Sequence, residues 1–303
     1  NFSFKVTLLF CVFLLLVFVL ISLWFGSVSL ELKDLLLGIF DPNLKTQSES
    51  IFVLIRLPRV LLAILVGALL AVSGVAMQGL FRNPLADPSL IGVTAGASAG
   101  GSVVIAFSGA LLIGSFGLWL VSFGAFVGGI ISVWIVYSLA NGKATSSHVA
   151  GSTSVATMLL AGIAITALAS SLTSLLEFTV DNNLLRQISL WKMGGLDGAS
   201  WPRVFVVLVV SLVCLFCFPR YAVSLNAFLL GESQARYLGI NTEKVKMHLI
   251  GLSAAAVGVS VAMAGSISFV GLVVPHMIRL LVGPEHKKLM LLSSIAGAVL
   301  LVV

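Results

Sequence analysis

Two arginines, Arg56 and Arg59, flank Pro58 directly before a long apolar run, and together they could bind an anion. Proline suits the first turn of a helix, where its missing N–H costs nothing. Two cations at a helix N-terminus oppose the helix dipole, so they do not serve the stability of that helix. The segment therefore predicts contact with an acidic partner or, as an equal alternative, side chains that snorkel to lipid headgroups.

A second segment, Asn83-Pro84-Leu85-Ala86-Asp87-Pro88, could act as a gate. Two prolines four residues apart cannot continue a helix. Asp87 followed by Pro88 is typical of an N-cap and the first turn of the next helix. The pattern predicts a tight, stiff turn between two apolar helices, and an ordinary connector is the alternative to a gate.

The longest polar segment, residues 220–246, predicts a short amphipathic helix between glycines over Leu230–Gly239. Glu232 and Arg236 lie four residues apart in the favourable order, and Gly239 fits a C-terminal cap. One side of this helix is apolar although it lies outside any membrane span, and it carries Leu229, Leu230, Ala235 and Leu238. The bundle itself, a lipid surface or a second protein must cover that side.

A fourth segment, Glu177–Arg203, mixes charges with tryptophans and predicts a short helix that leans into a bundle. An arginine on such a helix, Arg186, either faces a water-filled cavity where it meets a carboxylate or pairs with Glu177 or Asp181. Both explanations stay open from the residue types and their spacing.

Other reactive side chains predict no catalysis. Cys214 and Cys217 form a C-x-x-C inside an apolar helix, where packing explains them better than redox chemistry. The four histidines are scattered and predict no metal site, and the sequence contains no G-x-x-x-x-G-K-[ST] phosphate loop. No basic run interleaved with aromatic residues indicates nucleic-acid binding, despite the formal net charge of +6.

The elements that position these segments are membrane helices. The 303 residues are 59% hydrophobic and 9% charged, whereas soluble domains carry roughly 25% charged residues. About 20 apolar residues cross about 30 Å of hydrocarbon. This rule predicts nine spans, the first a true helix rather than a signal peptide: Val6–Phe25, Val60–Phe81, Ser89–Phe107, Phe116–Leu139, Ser152–Leu176, Val204–Phe218, Met247–Ala264, Gly271–Val282 and Leu289–Val303.

The distribution of charged residues predicts the orientation of the protein in the membrane, and the small residues predict how its helices pack. With the N-terminus inside, ten lysines and arginines fall on the cytoplasmic side and seven outside, in the expected direction. Gly92, Gly96 and Gly100 recur every four residues, as do Gly124 and Gly128. Small residues at this spacing let two helix backbones touch, so the repeats predict close packing within the bundle.

Taken together, these segments resemble the permease subunits of type II ABC importers, the family that handles iron-siderophores, haem and cobalamin. The resemblance extends from about Ile55 to the end of the sequence. The segments that carry it are Arg56–Arg59, Phe81–Pro88, Trp191–Leu196, Leu230–Gly239 and Gly265–Arg279. Gly195 departs from the family pattern, because it stands where a serine is usual, and we expect this change to be harmless.

The resemblance implies an all-α polytopic membrane protein with a single permease domain over residues 1–303. It implies ten transmembrane helices, of which nine fall in this chain and the C-terminal one is missing. It also implies a multi-pass protein of the bacterial inner membrane that pairs with a second copy of itself, two cytosolic ATPase subunits and a periplasmic substrate-binding protein. By this resemblance the chain is no enzyme and binds no cofactor, and ATP with Mg²⁺ resides in the partner ATPase.

The resemblance also assigns roles to particular residues. It implies that Arg56 and Arg59 receive acidic residues of the binding protein and that Arg186 and Met193 line the substrate path. The implied ATPase-coupling residues are Leu230, Gly231, Glu232, Ala235, Arg236 and Gly239. The implied cytoplasmic gate residues are Asn83, Pro84, Leu85, Asp87, Pro88, Thr145 and Ser146.

The cargo implied by the resemblance is haem, with a ferric siderophore as the main alternative and cobalamin as a weaker one. Asp181–Arg186 before Trp191 is similar to the haem branch, in which Arg186 would meet the propionates. A secondary transporter driven by an ion gradient is the alternative of another class. It would need membrane-buried carboxylates, and all 11 acidic residues fall in predicted loops or at span ends.

Overall fold

The computed structural model describes residues 3–26, 47–108, 114–141 and 155–303, and regular structure within these ranges is helical throughout. Single 3₁₀ turns cover Pro88–Ile91 and Phe218–Tyr221. The α-helices are α1 Phe4–Trp24, α2 Gln47–Ile51, α3 Leu57–Phe81, α4 Val93–Ser108, α5 Gly114–Ala140, α6 Val155–Thr179, α7 Asn182–Met193, α8 Trp201–Cys217, α9 Ala222–Phe228, α10 Glu232–Tyr237, α11 Thr242–Ala264, α12 Val270–Val282 and α13 His286–Val302.

The helices have the lengths and compositions of a multi-pass membrane protein. Six helical stretches of the described chain are long and apolar enough to cross a bilayer: Phe4–Trp24, Phe52–Phe81, Phe116–Ala140, Val155–Thr179, Trp201–Phe228 and Thr242–Ala264. α4 and α12 are shorter apolar helices. Each of the nine predicted spans coincides with a helix, and the largest shift at a described boundary is the start of α11 at Thr242 instead of Met247.

Two helices form the centre of the bundle. In their most apolar stretches, α3 and α11 are 83% and 72% buried, whereas α1 is 11% and α6 is 17% buried. The sequence of α3 is apolar or small on every side, which is typical of a helix surrounded by other helices. α1 instead exposes large apolar side chains such as Leu9 and Phe13, as a helix facing lipid does.

Glycines allow the central helices to approach each other closely. A Cβ atom on Gly74 would collide with the backbone of Gly271, so α3 and α12 are in direct backbone contact. The same holds for α4 and α5, where a Cβ on Gly100 would collide with the carbonyl of Gly124. This contact confirms the packing mode predicted from the glycine repeats.

Pro58 lies in the first turn of α3, as predicted, but the helical course does not begin at Leu57. The helix instead continues upstream through a π turn, Phe52–Arg56, into α2. Because proline has no N–H and its ring clashes with the carbonyl four residues back, an uninterrupted α-helix is disfavoured there. The widened turn resolves the conflict, and the N–H of Leu57 bonds to the carbonyl of Phe52.

The bundle has two ends that carry different features. The end called here the α10 end contains α9, α10 and the Asn83–Pro88 turn, since Gly79 near the end of α3 lies against Leu225 and His286. The opposite end, the Arg59 end, contains the starts of α3 and α8, where Trp201 Nε1 donates to the carbonyl of Val53 at 3.1 Å.

Helix α12 is too short to cross the hydrocarbon core. Its 13 residues extend about 20 Å, against about 30 Å of hydrocarbon. Its first residues contact the middle of α3, and buried Gln78 donates from Nε2 to the carbonyl of Leu272 at 3.1 Å. The irregular connection before it, residues 265–269, begins inside the bundle at buried Gly265, whereas Ser268 and Phe269 at its other end are exposed.

Candidate functional site

The two arginines of the first segment occupy different environments. Arg56 is 8% exposed, and its guanidinium donates to the carbonyls of Leu23 and Trp24 at 2.8 and 2.7 Å. These are terminal carbonyls of α1, which have no partner within their own helix. Arg59 is exposed and pairs with exposed Asp197 at 2.6 Å. Arg56 therefore ties α1 to α3, whereas Arg59 lies on the surface.

The Asn83–Pro88 turn has the stiff geometry predicted for it. The Oδ1 atom of Asn83 accepts a hydrogen bond from the N–H of Leu85 at 2.9 Å. Asp87 is the predicted N-cap, and its Oδ1 accepts from the N–H of Ser89 at 2.8 Å. Pro88 is buried and packs close to Gly271 of α12. The turn is thus joined to the core, while Asn83, Pro84 and Leu85 are exposed. The other predicted gate residues, Thr145 and Ser146, lie outside the described residues.

The predicted amphipathic helix exists, but as a shorter helix, α10, than the segment Leu230–Gly239. Gly239 has a φ of 82°, a left-handed conformation that favours glycine. Its N–H bonds to the carbonyl of Arg236, and the N–H of Ile240 bonds to the carbonyl of Ala235. This pair of bonds is a Schellman cap, so the predicted C-terminal cap is confirmed.

A network of charges joins α10 to the start of α11. Lys246 is 2% exposed, and its Nζ lies 2.8 Å from Glu232 and 3.2 Å from Glu243. Arg236 lies 2.6 Å from Glu232 and 3.3 Å from Glu243, and its Nε donates to the hydroxyl of Thr242 at 2.9 Å. Two cations thus share two carboxylates, and the network fixes α10 against α11.

Outside this network, α10 and the residues around it present apolar side chains to solvent. Ala235 is buried. The exposed members, called here the coupling face, are Leu229, Leu230, Tyr237 and Leu238, at 43%, 66%, 90% and 65% exposure. Because the charges next to this face are already paired, a partner that covers it need not supply counter-charges.

Helix α7 carries the two residues predicted to line the substrate path. Asp181 caps this helix, accepting hydrogen bonds from the N–H groups of Asn183 and Leu184 at 2.9 Å. Arg186 and Met193 are seven residues apart and exposed on one side of it. The alternative pairing of Arg186 with Glu177 is not observed in the described part of the chain, because Glu177 pairs with Lys192 at 2.8 Å.

A cleft of about 420 Å³ with many serine and threonine residues in its lining lies beside α4 and α6. Ser89 and Leu90 contribute to it from the 3₁₀ turn, and Lys192 and Ser266 from the irregular segments around α7 and α12. Most lining side chains are hydroxyls: Ser89, Thr94, Ser98, Thr166, Ser170, Thr173, Ser174 and Ser266. A cleft of this size, with hydroxyl groups set in a largely apolar lining surface, can hold part of a solute that carries both oxygen atoms and apolar groups.

The end of α7 is anchored next to this cleft by a glycine pair. The N–H of Gly195 bonds to the carbonyl of Ala264 at 2.8 Å. Gly194 has a φ of 70°, and a Cβ there would lie 2.8 Å from the carbonyl oxygen of Ser266. These contacts join α7 to the end of α11, and they hold Lys192 beside Ser266.

The two adjacent glycines provide a matched test of this anchoring. We expect Gly194→Ser to lower the thermal midpoint of the purified protein, because serine at this φ is strained and meets backbone. Gly195→Ser should leave the midpoint unchanged, since the nearest atom to a Cβ there is Asp197 Oδ2 at 3.5 Å. Equal midpoints for the two variants in a detergent melt would contradict the role given to Gly194.

Three features of these sites are absent from the sequence predictions. The sequence patterns assign no individual role to Lys192 or to Lys246. The Glu243–Lys246 spacing of three residues on a helix was an available signal for the second. The hydroxyl stripe on α6 was also readable, since Thr166, Ser170 and Thr173 recur at helical spacing within an apolar span.

These observations define a class of protein: a multi-pass α-helical membrane protein with a hydroxyl-lined cleft between its helices and no group of three His, Cys, Asp or Glu side chains that could hold a metal within the described ranges. The model of the FecCD transport family matches residues 14–303, and the chain belongs to this family. It is therefore a transport permease of an ABC importer and not an enzyme, with ATP hydrolysis in a separate subunit.

Individual relatives agree with the family. The chain is 40% identical to the hemin transport system permease HmuU of Yersinia pestis, over 95% of this chain and 84% of that protein. It is 35% identical to the iron(3+)-hydroxamate import permease FhuB of Bacillus subtilis, over 96% of this chain and 72% of that protein. A solved inward-facing structure assigned to a metal-chelate type ABC transporter superposes with a TM-score of 0.82 at 31% identity, covering 99% of this chain and 88% of that one.

Proposed function

We propose that this chain is the transmembrane subunit of an importer that moves haem from a periplasmic binding protein across the bacterial inner membrane. Transport proceeds by alternating access, driven by two cytosolic ATPase subunits. The observation that carries this proposal is the coupling face, because it combines exposed apolar side chains with a rigid attachment to a central helix. A carrier driven by an ion gradient needs no such face outside the membrane.

The coupling face supports docking of an ATPase through helix-in-groove contact. Leu230, Tyr237 and Leu238 supply the apolar contact area, and Gly231, Ala235 and Gly239 shape the short helix. Glu232 and Arg236 act in the same site, but from the inside, by holding α10 on α11. ATP and Mg²⁺ belong to the ATPase in this proposal, and the permease binds no cofactor.

The distribution of positive charge supports an orientation with the α10 end in the cytoplasm. At the Arg59 end, the described lysines and arginines are Arg56, Arg59, Arg186, Lys192 and Arg203. More lie at the α10 end: Lys5, Arg82, Arg220, Arg236, Lys244, Lys246, Arg279, Lys287 and Lys288.

The Arg59 end then faces the periplasm and receives the binding protein. Arg59 is exposed and its partner Asp197 is 84% exposed, so an acidic residue of a binding protein can displace Asp197 at little cost. Arg56 is buried against α1, and its part in docking is to position Arg59 and the π turn.

The remaining parts of the proposal follow the family. The chain forms one permease domain over residues 1–303, pairs with a second copy, and has ten transmembrane helices with the tenth outside this chain. The sparsely buried surface of α6 offers room for the second copy. Asn83, Pro84, Leu85, Asp87 and Pro88, with Thr145 and Ser146, form the cytoplasmic gate.

Haem is the proposed cargo, because the hemin permease is similar over nearly the whole chain and Arg186 is exposed on α7 to meet a propionate. A ferric siderophore is the second candidate, favoured by the similarity to the hydroxamate permease. Cobalamin is a weaker third. An ion-coupled carrier is disfavoured because the carboxylates on the described helices, such as Glu177, Glu232 and Glu243, lie at helix ends.

Reconstitution of the permease with its ATPase and binding protein in liposomes tests the proposal. We expect uptake of haem that requires both ATP and the binding protein, and that exceeds uptake of ferric siderophores and cobalamin. A preference for a ferric siderophore would replace the cargo and leave the mechanism intact. Uptake that continues without ATP and collapses with the ion gradient would contradict the mechanism.

A further inference from the structure

We propose that the hydroxyl-lined cleft beside α4 and α6 binds the oxygen-rich, anionic part of the cargo, and that Lys192 recognises a carboxylate on it. This inference rests on the proposed function, since it names the cargo chemistry that the permease selects. It assigns to Lys192 the recognition of the carboxylate that the family resemblance assigns to Arg186.

The lining of the cleft is suited to an oxygen-rich anion. Eight of its twelve lining residues are serine or threonine, and the single charged side chain among them is Lys192. Hydroxyls donate and accept hydrogen bonds, so they replace the water around carboxylate or hydroxyl oxygens. Lys192 offers a positive charge that a carboxylate can meet once it displaces Glu177.

The arginine predicted for this role lies on a different side of α7. Arg186 and Met193 share one side of the helix, and six residues separate Arg186 from Lys192, which places the lysine about 120° around the axis. Arg186 is not among the residues that line the cleft, whereas Lys192 is. The bond from the N–H of Gly195 to the end of α11 and the close approach of Gly194 to the backbone of Ser266 hold Lys192 beside Ser266, a second lining residue.

The present partner of Lys192 can be exchanged for a cargo carboxylate. Its Nζ lies 2.8 Å from Glu177, and the two side chains are 37% and 24% exposed. Ion pairs that remain in contact with water contribute little to stability, because the solvent screens them. Replacing Glu177 by a carboxylate that also bonds to the neighbouring hydroxyls is therefore favourable.

A structural explanation of the same pair makes a different prediction. If Lys192 and Glu177 only join α6 to α7, then removing either side chain weakens the protein in the same way, whatever the cargo. If Lys192 recognises a carboxylate, only the lysine variant loses uptake, and only for cargo that carries the carboxylate. Two probes that differ only in whether they carry the free carboxylate distinguish the structural explanation from carboxylate recognition.

The test uses the complete importer in liposomes with two probes, iron protoporphyrin IX and its dimethyl ester. We expect Lys192→Gln to lower the ratio of acid to ester uptake about tenfold, which corresponds to about 1.4 kcal/mol at 25 °C. Lys192→Arg should restore the ratio, because it restores the charge. Glu177→Gln should leave acid uptake undiminished. The proposal would be overturned if Lys192→Gln and Glu177→Gln lost uptake of both probes to the same extent. It would also be overturned if Arg186→Ala, and no other variant, lost the discrimination between acid and ester.

If the unmodified importer transported neither probe, haem would be contradicted as the cargo. A second measurement tests the cleft in that case. Lys192 is exposed enough to react with an amine-selective reagent, and mass spectrometry of the purified complex measures its labelling. We expect iron protoporphyrin IX to protect Lys192 at least fivefold more than the ester does, because a bound carboxylate blocks the ammonium group. Equal labelling with the two probes would overturn the proposed site.

Discussion

Leu230→Asp should prevent the permease from holding its ATPase, and ATP-driven uptake should fall to background. Leu230 is 66% exposed and lies on the coupling face beside Leu229. Burying a leucine side chain contributes about 1.5–3 kcal/mol, and a carboxylate at the same place must lose its water without gaining a partner. The combined loss corresponds to at least roughly a hundredfold in affinity. Co-purification of the ATPase and uptake into liposomes measure the two effects.

A conservative variant at the same position separates docking from folding. Leu230→Met keeps an apolar side chain of similar size and should retain both co-purification and uptake. Because Leu230 makes little contact with its own chain, Leu230→Asp should leave the thermal midpoint of the isolated permease unchanged. Normal uptake by Leu230→Asp would show that the coupling face is not the ATPase site.

Local sequence rules were sufficient for the elements that depend on neighbouring residues. The caps at Asp87 and Gly239 follow from side-chain hydrogen bonding and from the left-handed preference of glycine, and both are present. Each predicted apolar span coincides with a helix, six of them in stretches long and apolar enough to cross a bilayer, and the glycine repeats predicted close helix packing, which α4 and α5 show. Each of these predictions needed only the spacing of residues along one segment.

Features that depend on distant parts of the chain could not be derived in this way. Arg56 and Arg59 are indistinguishable by type and neighbourhood, yet one bonds to carbonyls more than 30 residues away and the other pairs with Asp197, 138 residues away. No property of residues 56–59 specifies which arginine meets α1. The roles of the pair can be separated only when the packing of α1 and α3 is known.

Lys192 shows the same limit within a single helix. Its neighbours in sequence make it one more charge near an interface, and its importance comes from α4 and α6, whose hydroxyls face it across the cleft. The stripe on α6 was visible as a helical repeat, but hydroxyls in an apolar helix often bond to their own backbone, as Thr173 does to the carbonyl of Ala169 at 2.9 Å. Only the three-dimensional structure shows that the hydroxyl stripe of α6 borders a cavity.

The proposed coupling requires a six-residue helix to transmit force to the bundle, and the inner and outer sides of α10 suit different parts of that task. An isolated helix of this length is not stable in water, so its position depends on tertiary contacts. The charges on its inner side supply those contacts and the apolar residues on its outer side are left for a partner. Under the proposed function, movement of the ATPase would pass through α10 to α11, a central helix of the bundle that packs against α3 and α5.

Lys246→Met should loosen this connection and uncouple ATP hydrolysis from uptake. Lys246 is 2% exposed and holds Glu232 and Glu243 at 2.8 and 3.2 Å, while those carboxylates are about one third exposed. Breaking a fully buried pair costs about 3–5 kcal/mol and an exposed pair at most about 1, so we expect about 2 kcal/mol here. The thermal midpoint should fall by roughly 4–8 °C. Uptake per ATP hydrolysed should fall further than the hydrolysis rate itself.

The neighbouring exposed lysine provides the control, since Lys244→Met removes the same charge from the same turn of α11 without touching the network. It should change neither the midpoint nor the coupling ratio. Combining Lys246→Met with Glu232→Gln removes the carboxylate that the first variant leaves under-compensated, so the double variant should lose less than the sum of the single variants. Strict additivity would mean that the two side chains act independently, and the Lys246–Glu232 pair would then not be what holds α10 on α11.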